Sequence, residues 1–274
     1  MLGTHCLKRW WNDFYVGGDM SLSKPYYRTY RPNIGGNNLY MNDPRYVEYP
    51  GQFIKAIELL YKDFETLFDY IEPSDENEKC YSFRIHELML RTCTEVEANL
   101  KGILLANGYK RFKTGGTETF HRCMDKDYYK IEKTHHLSSY EVHIPHWRGV
   151  NKIRKPFAKW FEMAHYKSLP WYQDYNSVKH NRFEEFKKAN FGNVLDALCG
   201  LIVLLASQFF DSGFAETRID GNYSFTVLAD GLNSAIGTPF RIKFPNNWTE
   251  GEKYEFQWSD IKDTADAFNN LNFS

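Results

Sequence analysis

The stretch YSFRIHELMLRTCTEVEANLKGILLA, from Tyr81 to Ala106, decides the fold of this chain. Its apolar residues recur at intervals of three and four, the period of a helix that turns one face to a core. These positions are Ile85, Leu88, Met89, Val96, Leu100, Ile103 and Leu104. The opposite side carries charges spaced for pairing along the helix, namely Arg84, Glu87, Arg91 and Glu95. Asn107-Gly108 ends the pattern, so we predict one long amphipathic helix.

Three further segments are predicted to be helices. One runs from about Tyr49 to Ile71 and stops before Pro73-Ser74-Asp75. The other two run from about Tyr172 to Lys188 and from Asn190 to Phe210. Four such helices can bury their apolar faces against one another, which predicts a mainly α, up-and-down helical bundle.

The most apolar run of the chain is Val194 to Phe210. Asp196, Gly200 and Gln208 interrupt it, and it falls short of the apolar length of a membrane-spanning helix. The first residues, MLGTHCLKRWW, contain no apolar signal core. We therefore expect a bundle helix in a cytoplasmic protein that has no membrane partner.

The remaining regions lack helical periodicity. Residues 1–46 carry many Gly, Pro, Tyr and Arg residues and predict a loop-rich N-terminal arm. Residues 47–211 form the helical bundle, interrupted by a partly β insertion at 109–170. Residues 212–274 are predicted to form a small strand-rich C-terminal appendage.

Alternation of large apolar residues with polar ones predicts the strands of the insertion and the appendage. In the insertion the alternating residues are Tyr140, Val142 and Ile144. In the appendage they are Tyr223, Phe225, Val227, Phe240, Ile242, Phe244, Tyr254, Phe256 and Trp258. Asp220-Gly221 is a turn signal between the bundle and the first appendage strand. Short helices are predicted near 156–166 and 259–268.

Composition narrows the function classes. The net charge of −1 argues against binding of long nucleic acid by bulk electrostatics, while a small basic pocket stays open. The 19 Tyr, 21 Phe and 7 Trp residues can serve as packing units or as a stacking surface for bases, and their spread along the chain favours packing. The five cysteines form no CxxC pair, which indicates reduced thiols. Without GxxxxGK[ST], GxGxxG or GxSxG, an ordinary NTPase, dinucleotide enzyme or serine hydrolase is disfavoured.

The one concentrated polar cluster is LPWYQDYNSVKHNR, from Leu169 to Arg182. On a helix, Asn176 and His180 are four residues apart, and together with Lys179 and Tyr172 they share one face. Histidine titrates near neutral pH and is the usual proton carrier in catalysis. An ammonium beside it can bind a phosphate as a point charge. His180, Asn176 and Lys179 are therefore the candidate catalytic residues.

The candidate binding residues are Tyr172 and four others. Tyr175 and Arg182 lie on the neighbouring face of the same predicted helix, so Arg182 points partly away from the histidine. Arg91 and Glu95 come from the charged side of the helix that begins near Tyr81. The alternative is that these polar groups only satisfy one another inside the bundle.

Glu97 has two possible roles beside this cluster. With Glu95 it could orient His180 across the bundle, as carboxylates do for catalytic histidines. Lys101 lies four residues further along the same helix, where an ordinary surface ion pair forms. We expect the ion pair.

The chain resembles the HEPN superfamily of helical-bundle proteins. The resemblance rests on FRIHELMLRTCTEVEANLKGIL, on the later YNSVKHNR and on NVLDALCGLIVLLASQF. It covers about residues 50–210, with 109–170 as an insertion, and is closest to uncharacterised bacterial proteins that also share the FRIKFP and YEFQW stretches. Many HEPN proteins are metal-independent ribonucleases of toxin–antitoxin and phage-defence systems. The resemblance thus implies RNA as a partner, a homodimer with two motifs facing one cleft, and possible pairing with a protein encoded nearby.

The HEPN motif is an arginine, a polar residue, a few further residues and then a histidine. By resemblance, Asn176 matches the polar residue and His180 the histidine, while Tyr175 stands in the place of the arginine. In the family the arginine is expected to steady the phosphate while the histidine helps to activate the ribose hydroxyl. A phenol carries no positive charge at neutral pH, so this departure implies weak or absent cleavage.

The sequence gives only weak support for a metal site. His135-His136, His143 and His146 lie in one segment with Cys123. No paired ligand knuckle accompanies them, so we predict no metal and no other cofactor.

Two functions from different classes follow. One is a ribonuclease, or a degenerate relative that still binds RNA. The other is a non-catalytic module that binds a partner protein or a small ligand. An exposed His180 near cationic groups would favour the first, and a sealed, hydrogen-bonded His180 would favour the second.

Overall fold

The prediction of a mainly α fold with a small β part is confirmed by a computed structural model of the chain. The structure describes residues 21–110, 125–161, 166, 168–211, 231–236 and 240–273. The helices are α1 (Gly51–Phe68), α2 (Phe83–Ala106), α3 (Asp125–Tyr128), α4 (Glu132–His135), α5 (Pro170–His180), α6 (Arg182–Glu185), α7 (Phe191–Phe209) and α8 (Trp258–Ile261). Short 3-10 turns lie at Leu39–Asn42, Asp75–Asn77, Tyr129–Ile131, Leu137–Ser139, Ala158–Trp160, Phe186–Lys188 and Glu250–Glu252.

The centre of the fold is the pair α2 and α7, which pack on each other more extensively than any other described elements. Both helices begin at side-chain caps. The Ser82 hydroxyl accepts from the Ile85 amide at 3.2 Å, and the Asn190 carboxamide accepts from the Asn193 amide at 3.0 Å. Helix α7 has the length and apolarity of a membrane span, but 89% of that window is buried within the protein. Its apolar surface is therefore covered by the bundle, with α1 and α5 packed alongside.

The predicted single helix from 172 to 188 is wrong in its extent. Helix α5 begins at Pro170, whose missing N–H is not needed in a first helical turn, and it ends at His180. Asn181 leaves the helical region at φ −139° and ψ 64°, and its side chain donates to the Glu184 carboxylate at 2.6 Å. Asparagine favours helix ends and turns over helix interiors. The short helix α6 and a 3-10 turn follow instead.

The strands of the insertion and the appendage join in one antiparallel sheet. The strands are β1 (Glu141–His143), β2 (Ile153–Arg154), β3 (Asn233–Ser234) and β4 (Arg241–Lys243), in the order β2-β1-β4-β3. Val142 of β1 lies opposite Ile242 of β4, and both side chains are buried. Two regions that the sequence suggested as separate units thus share one sheet, since each supplies strands too short to stand alone.

Other predicted strands and helices differ from the structure. Tyr254 makes isolated parallel bridges to Leu22 and Asn33 of the arm, and Trp258 begins α8, so this alternating stretch is not a sheet strand. The helix predicted near 259–268 is only the four-residue α8. The helix predicted near 156–166 is a 3-10 turn at Ala158–Trp160, with 162–165 outside the described residues. The predicted Tyr223–Val227 strand and the Asp220-Gly221 turn also lie outside them.

Asp75 fixes the turn between β1 and β2. Its carboxylate accepts from the Trp147 indole at 2.6 Å and from the amides of Val150 and Asn151 at 2.8 and 3.1 Å. Gly149 in this turn has φ +124°, and a Cβ there would run into the Asp75 carboxylate. The β1–β2 hairpin is therefore held against the segment that connects α1 and α2.

The N-terminal arm inserts a cation into the bundle. Arg28 is only 5% exposed, and its guanidinium donates to Gln208 of α7 at 2.7 Å and to Asn99 of α2 at 3.3 Å. Burial lowers the pKa of Arg28 to about 10, which leaves it charged at neutral pH. Gly102 of α2 makes room for the guanidinium, because a Cβ at that position would overlap it.

We predict that Gly102→Ala destabilises the protein, although alanine is normally the better helix former. The added methyl group collides with a buried, hydrogen-bonded guanidinium, and overpacking of this kind costs about 1–3 kcal/mol. The measurement is the free energy of unfolding in urea.

Gly51→Ala at the start of α1 is the matched control, because a Cβ there meets no atom within 4 Å. It should leave the free energy of unfolding unchanged or raise it by up to about 1 kcal/mol. Equal effects of the two substitutions would contradict the tight fit around Arg28.

Candidate functional site

The predicted cluster on α5 packs against α2 around one carboxylate, Glu97. The Tyr172 hydroxyl donates to Glu97 Oε1 at 3.1 Å. Lys179 Nζ lies 3.6 Å from the same oxygen, and Lys101 Nζ lies 3.5 Å from Oε2. The predicted ion pair between Glu97 and Lys101 is therefore confirmed. It is one part of a larger network that joins α2 to α5.

The inner half of this network is built around two buried side chains, Tyr175 and Cys93. Tyr175 is 2% exposed, and burial raises its pKa. The Lys179 ammonium lies 5.0 Å from the centre of the Tyr175 ring, and its pKa is raised chiefly by the Tyr175 hydroxyl and further by Glu97. Cys93 lies beneath, and burial raises the pKa of its thiol, so it stays protonated. With two ammonium groups around one carboxylate, the network keeps a net positive charge.

The outer half of the cluster is open to solvent. His180 is exposed and Asn176 is half-buried, four residues apart on the same face of α5. Within the part of the chain that the structure describes, neither side chain has a hydrogen-bond partner. An exposed imidazole and a carboxamide next to an ammonium can together donate to, accept from and exchange protons with a bound anion.

Arg182 lies beyond the end of α5 and faces a different group of residues. Its guanidinium lies 6.0 Å from the centre of the Phe83 ring at the start of α2. It also contributes, after burial, to lowering the pKa of His86, which is 6% exposed. His86 was not singled out in the sequence, because one histidine in an amphipathic helix gives no signal of its own.

Arg91 and Glu95 lie on another side of α2. Arg91 forms an ion pair with Asp63 of α1 and lines a cavity of about 330 Å³ between α1 and α2. Glu95 is half-buried one turn further along, and burial raises its pKa. Arg91 and Glu97 are six residues apart, which turns them by about 120° around the helix. The structure does not bring Arg91 and Glu95 together with His180.

The histidines of the insertion serve other contacts. Burial lowers the pKa of His135 to about 3, and its ring nitrogens lie 3.0 Å from the Arg28 carbonyl oxygen and 2.8 Å from the Thr134 hydroxyl. His136 lies 2.9 Å from Glu252 and stacks on Trp248. Among the described residues, no three His, Cys, Asp or Glu side chains are grouped to hold a metal ion. Cys123 lies outside that part of the chain.

Sequence reasoning missed one further polar group, centred on Arg154 of β2. Its guanidinium lies 2.6 Å from Glu78 and 3.3 Å from Asp196 of α7, and 4.8 Å from the centre of the Trp147 ring. Burial raises the pKa of Asp196 to about 6. Asp196 stood out only as an interruption of an apolar run. The contacts join the hairpin to the bundle, which is a structural role.

Comparison with known protein families, with curated proteins and with solved structures found no match for this chain.

We predict that Tyr175→Phe lowers the pKa of the Lys179 ammonium, because it removes the hydroxyl that most favours the charged form. An NMR titration of labelled lysine side chains measures this pKa, with Lys179→Arg to assign the signal. Tyr172→Phe is the matched control, since it removes a hydroxyl that binds Glu97 instead. An unchanged Lys179 pKa in Tyr175→Phe would contradict this account of the inner network.

Proposed function

We propose that this chain is a HEPN-like, cytoplasmic RNA-binding protein. Asn176, Lys179 and His180 bind the ribose-phosphate backbone of the RNA. One observation carries the proposal. The His180 imidazole is exposed and without a partner in the described part of the chain, on the same face of α5 as Asn176 and directly after Lys179 in the chain. A sealed, hydrogen-bonded histidine would have favoured a purely structural cluster.

The three side chains fit the chemistry of an RNA phosphate. Lys179 offers a positive charge, and Asn176 offers an amide donor. In metal-independent cleavage, the imidazole takes the proton of the ribose 2′-hydroxyl while the 2′-oxygen attacks phosphorus. The bond from phosphorus to the 5′-oxygen then breaks, and that oxygen receives a proton.

The same geometry predicts weak cleavage. Tyr175 is buried against α2 and cannot face a phosphate with a charge, and Lys179 is already paired with Glu97. Developing charge in the transition state therefore meets less stabilisation than an unpaired arginine would give. We propose that binding dominates and that any ribonuclease activity, in toxin–antitoxin or phage-defence systems, is slow.

A second candidate is the non-catalytic module for a partner protein or small ligand. The engagement of both Tyr172 and Lys179 by Glu97 favours it, because these groups already have partners within the bundle. The RNA experiment below separates the two candidates.

We further propose a homodimer that brings two Tyr172–Arg182 faces near one cleft. The resemblance supports it, and a second copy would supply the second proton-transfer group that one histidine lacks. Light scattering should give twice the chain mass at high micromolar concentration. A monomer at that concentration would refute this assembly.

The decisive prediction concerns RNA in the presence of a chelator. Purified protein should bind single-stranded RNA, and Lys179→Met should weaken binding and lower the salt slope of log K by about 1. His180→Asn should leave binding nearly unchanged while it reduces any cleavage by about 10²-fold or more. Filter binding and gel analysis of labelled RNA measure the two effects.

His146→Asn and Lys55→Met are matched controls, since both side chains are exposed away from α5. Circular dichroism must show that every variant is folded. Cleavage unchanged in folded His180→Asn refutes the mechanism. Absence of RNA binding by the parent chain refutes the function and leaves the partner-binding module.

A further inference from the structure

Beside the cluster, the rings of Tyr81 and Phe83 pack against Phe186, and Phe183 lies three residues before Phe186 in the chain. We call these four side chains the aromatic ledge. The Phe186 ring centre lies 4.8 Å from that of Phe83 and 5.9 Å from that of Tyr81. Phe183 projects from α6, one turn before Phe186. Phe183 is 96% exposed, Phe83 65% and Tyr81 45%. The ledge thus shows ring surface to solvent while Phe186 anchors it to the start of α2.

Two cations flank the ledge. Arg182 lies 6.0 Å from the centre of the Phe83 ring, and Lys187 Nζ lies 5.9 Å from the centre of the Tyr81 ring. Both are exposed, and neither has a carboxylate partner among the described residues. His180 precedes Arg182 by two residues, so the ledge adjoins the open half of the cluster.

The carboxylates near the ledge are engaged. Glu184 accepts from the Asn181 side chain at 2.6 Å, and Glu185 lies 2.7 Å from Lys188. Glu87 pairs with Arg84 at 3.1 Å. The charges that remain without a carboxylate partner beside the exposed rings are therefore positive.

Exposed rings flanked by unpaired cations match a single-stranded polynucleotide. Every base has a π-face that stacks on an aromatic ring, and each phosphate can meet a cation. Direct packing of two ledges on each other fits less well, because it would press the Arg182 and Lys187 side chains of both copies together, whereas the proposed dimer leaves a cleft between the two Tyr172–Arg182 faces.

We propose that the aromatic ledge stacks the bases of single-stranded RNA, with Arg182 and Lys187 holding the adjacent phosphates. This stacking site rests on the proposed function. It specifies where the bases of the RNA lie relative to His180. Stacking on Phe83 and Phe183 makes no contact with the hydrogen-bonding edges of the bases, so the site accepts RNA of any base sequence. It prefers single strands over duplexes, whose bases are already stacked on one another.

The test compares three labelled probes by fluorescence anisotropy: a short oligouridine, its abasic ribose-phosphate counterpart and an RNA duplex. Phe83→Ser and Phe183→Ser should each weaken oligouridine binding about tenfold. They should leave the weaker binding of the abasic strand unchanged. Phe183→Trp should retain oligouridine affinity, because the indole preserves the stacking face.

Phe161→Ser is the matched control, since Phe161 is also exposed, at 70%, and lies away from the ledge. Its oligouridine affinity should equal that of the parent chain. Circular dichroism and thermal melting verify the fold of each variant.

Two outcomes overturn the ledge while the proposed function stands. In one, folded Phe83→Ser and Phe183→Ser bind oligouridine as the parent does. In the other, the parent binds the abasic strand or the duplex as tightly as oligouridine. Absence of RNA binding by the parent overturns both proposals. If light scattering then shows that Phe183→Ser dissociates a dimer, the ledge is a contact between copies.

Discussion

The closure of this fold depends on the hydrogen bonds of the Arg28 guanidinium to α2 and α7. This guanidinium is buried between the two helices and has no carboxylate partner among the described residues. A buried charge is tolerated only when its donors are satisfied. Here Asn99 and Gln208 supply the acceptors, and Gly102 supplies the space. The two long helices must therefore meet in one register, with these three residues opposite the arm.

Once Arg28 is in place, the arm can tie the two ends of the described chain together. The Tyr30 amide donates to the Ser207 carbonyl of α7 at 2.8 Å. Leu22 then exchanges backbone hydrogen bonds with Lys253 and Glu255 in the C-terminal segment, at 2.8 and 2.9 Å. Many of the chain's aromatic residues pack along this junction. The high aromatic content is thus used mainly for packing, and the exposed rings of the ledge stand apart from that use.

Helix α5 has residues that anchor it to the bundle and polar residues that face away from the core. The Trp171 ring packs against Gly200 of α7, and Tyr172 and Tyr175 are buried against the bundle, which fixes the rotation of the helix. Asn176 and His180 are then among the positions that face away from the core. Glu97 steadies Lys179 at the boundary, and the same pairing reduces the charge that this lysine can offer to a phosphate. Lys179 therefore serves both to hold α5 against α2 and, in the proposed function, to bind a phosphate.

The sequence by itself determined the long helices α1, α2 and α7, because periodicity records which face of each segment is buried. Both α2 and α7 lie close to the predicted bounds, and the strand at Val142 and Ile242 followed from alternation alone. The grouping of Asn176, Lys179 and His180 on one face was also predictable, since local helical geometry fixes it.

Only the tertiary structure decided the rest. The charged side of α2 proved to be divided between α1 and α5, so Arg91 pairs with Asp63 while Glu97 meets Lys179. Amphipathic spacing identifies a polar side but not the helix that it will face. The joint sheet and the burial of Arg28 depend on contacts between residues far apart in the chain, which no local pattern records. Helix α5 ends at Asn181, which leaves the helical region, and Arg182 then lies beside Phe83 at the start of α2, a contact that the spacing along one helix does not record.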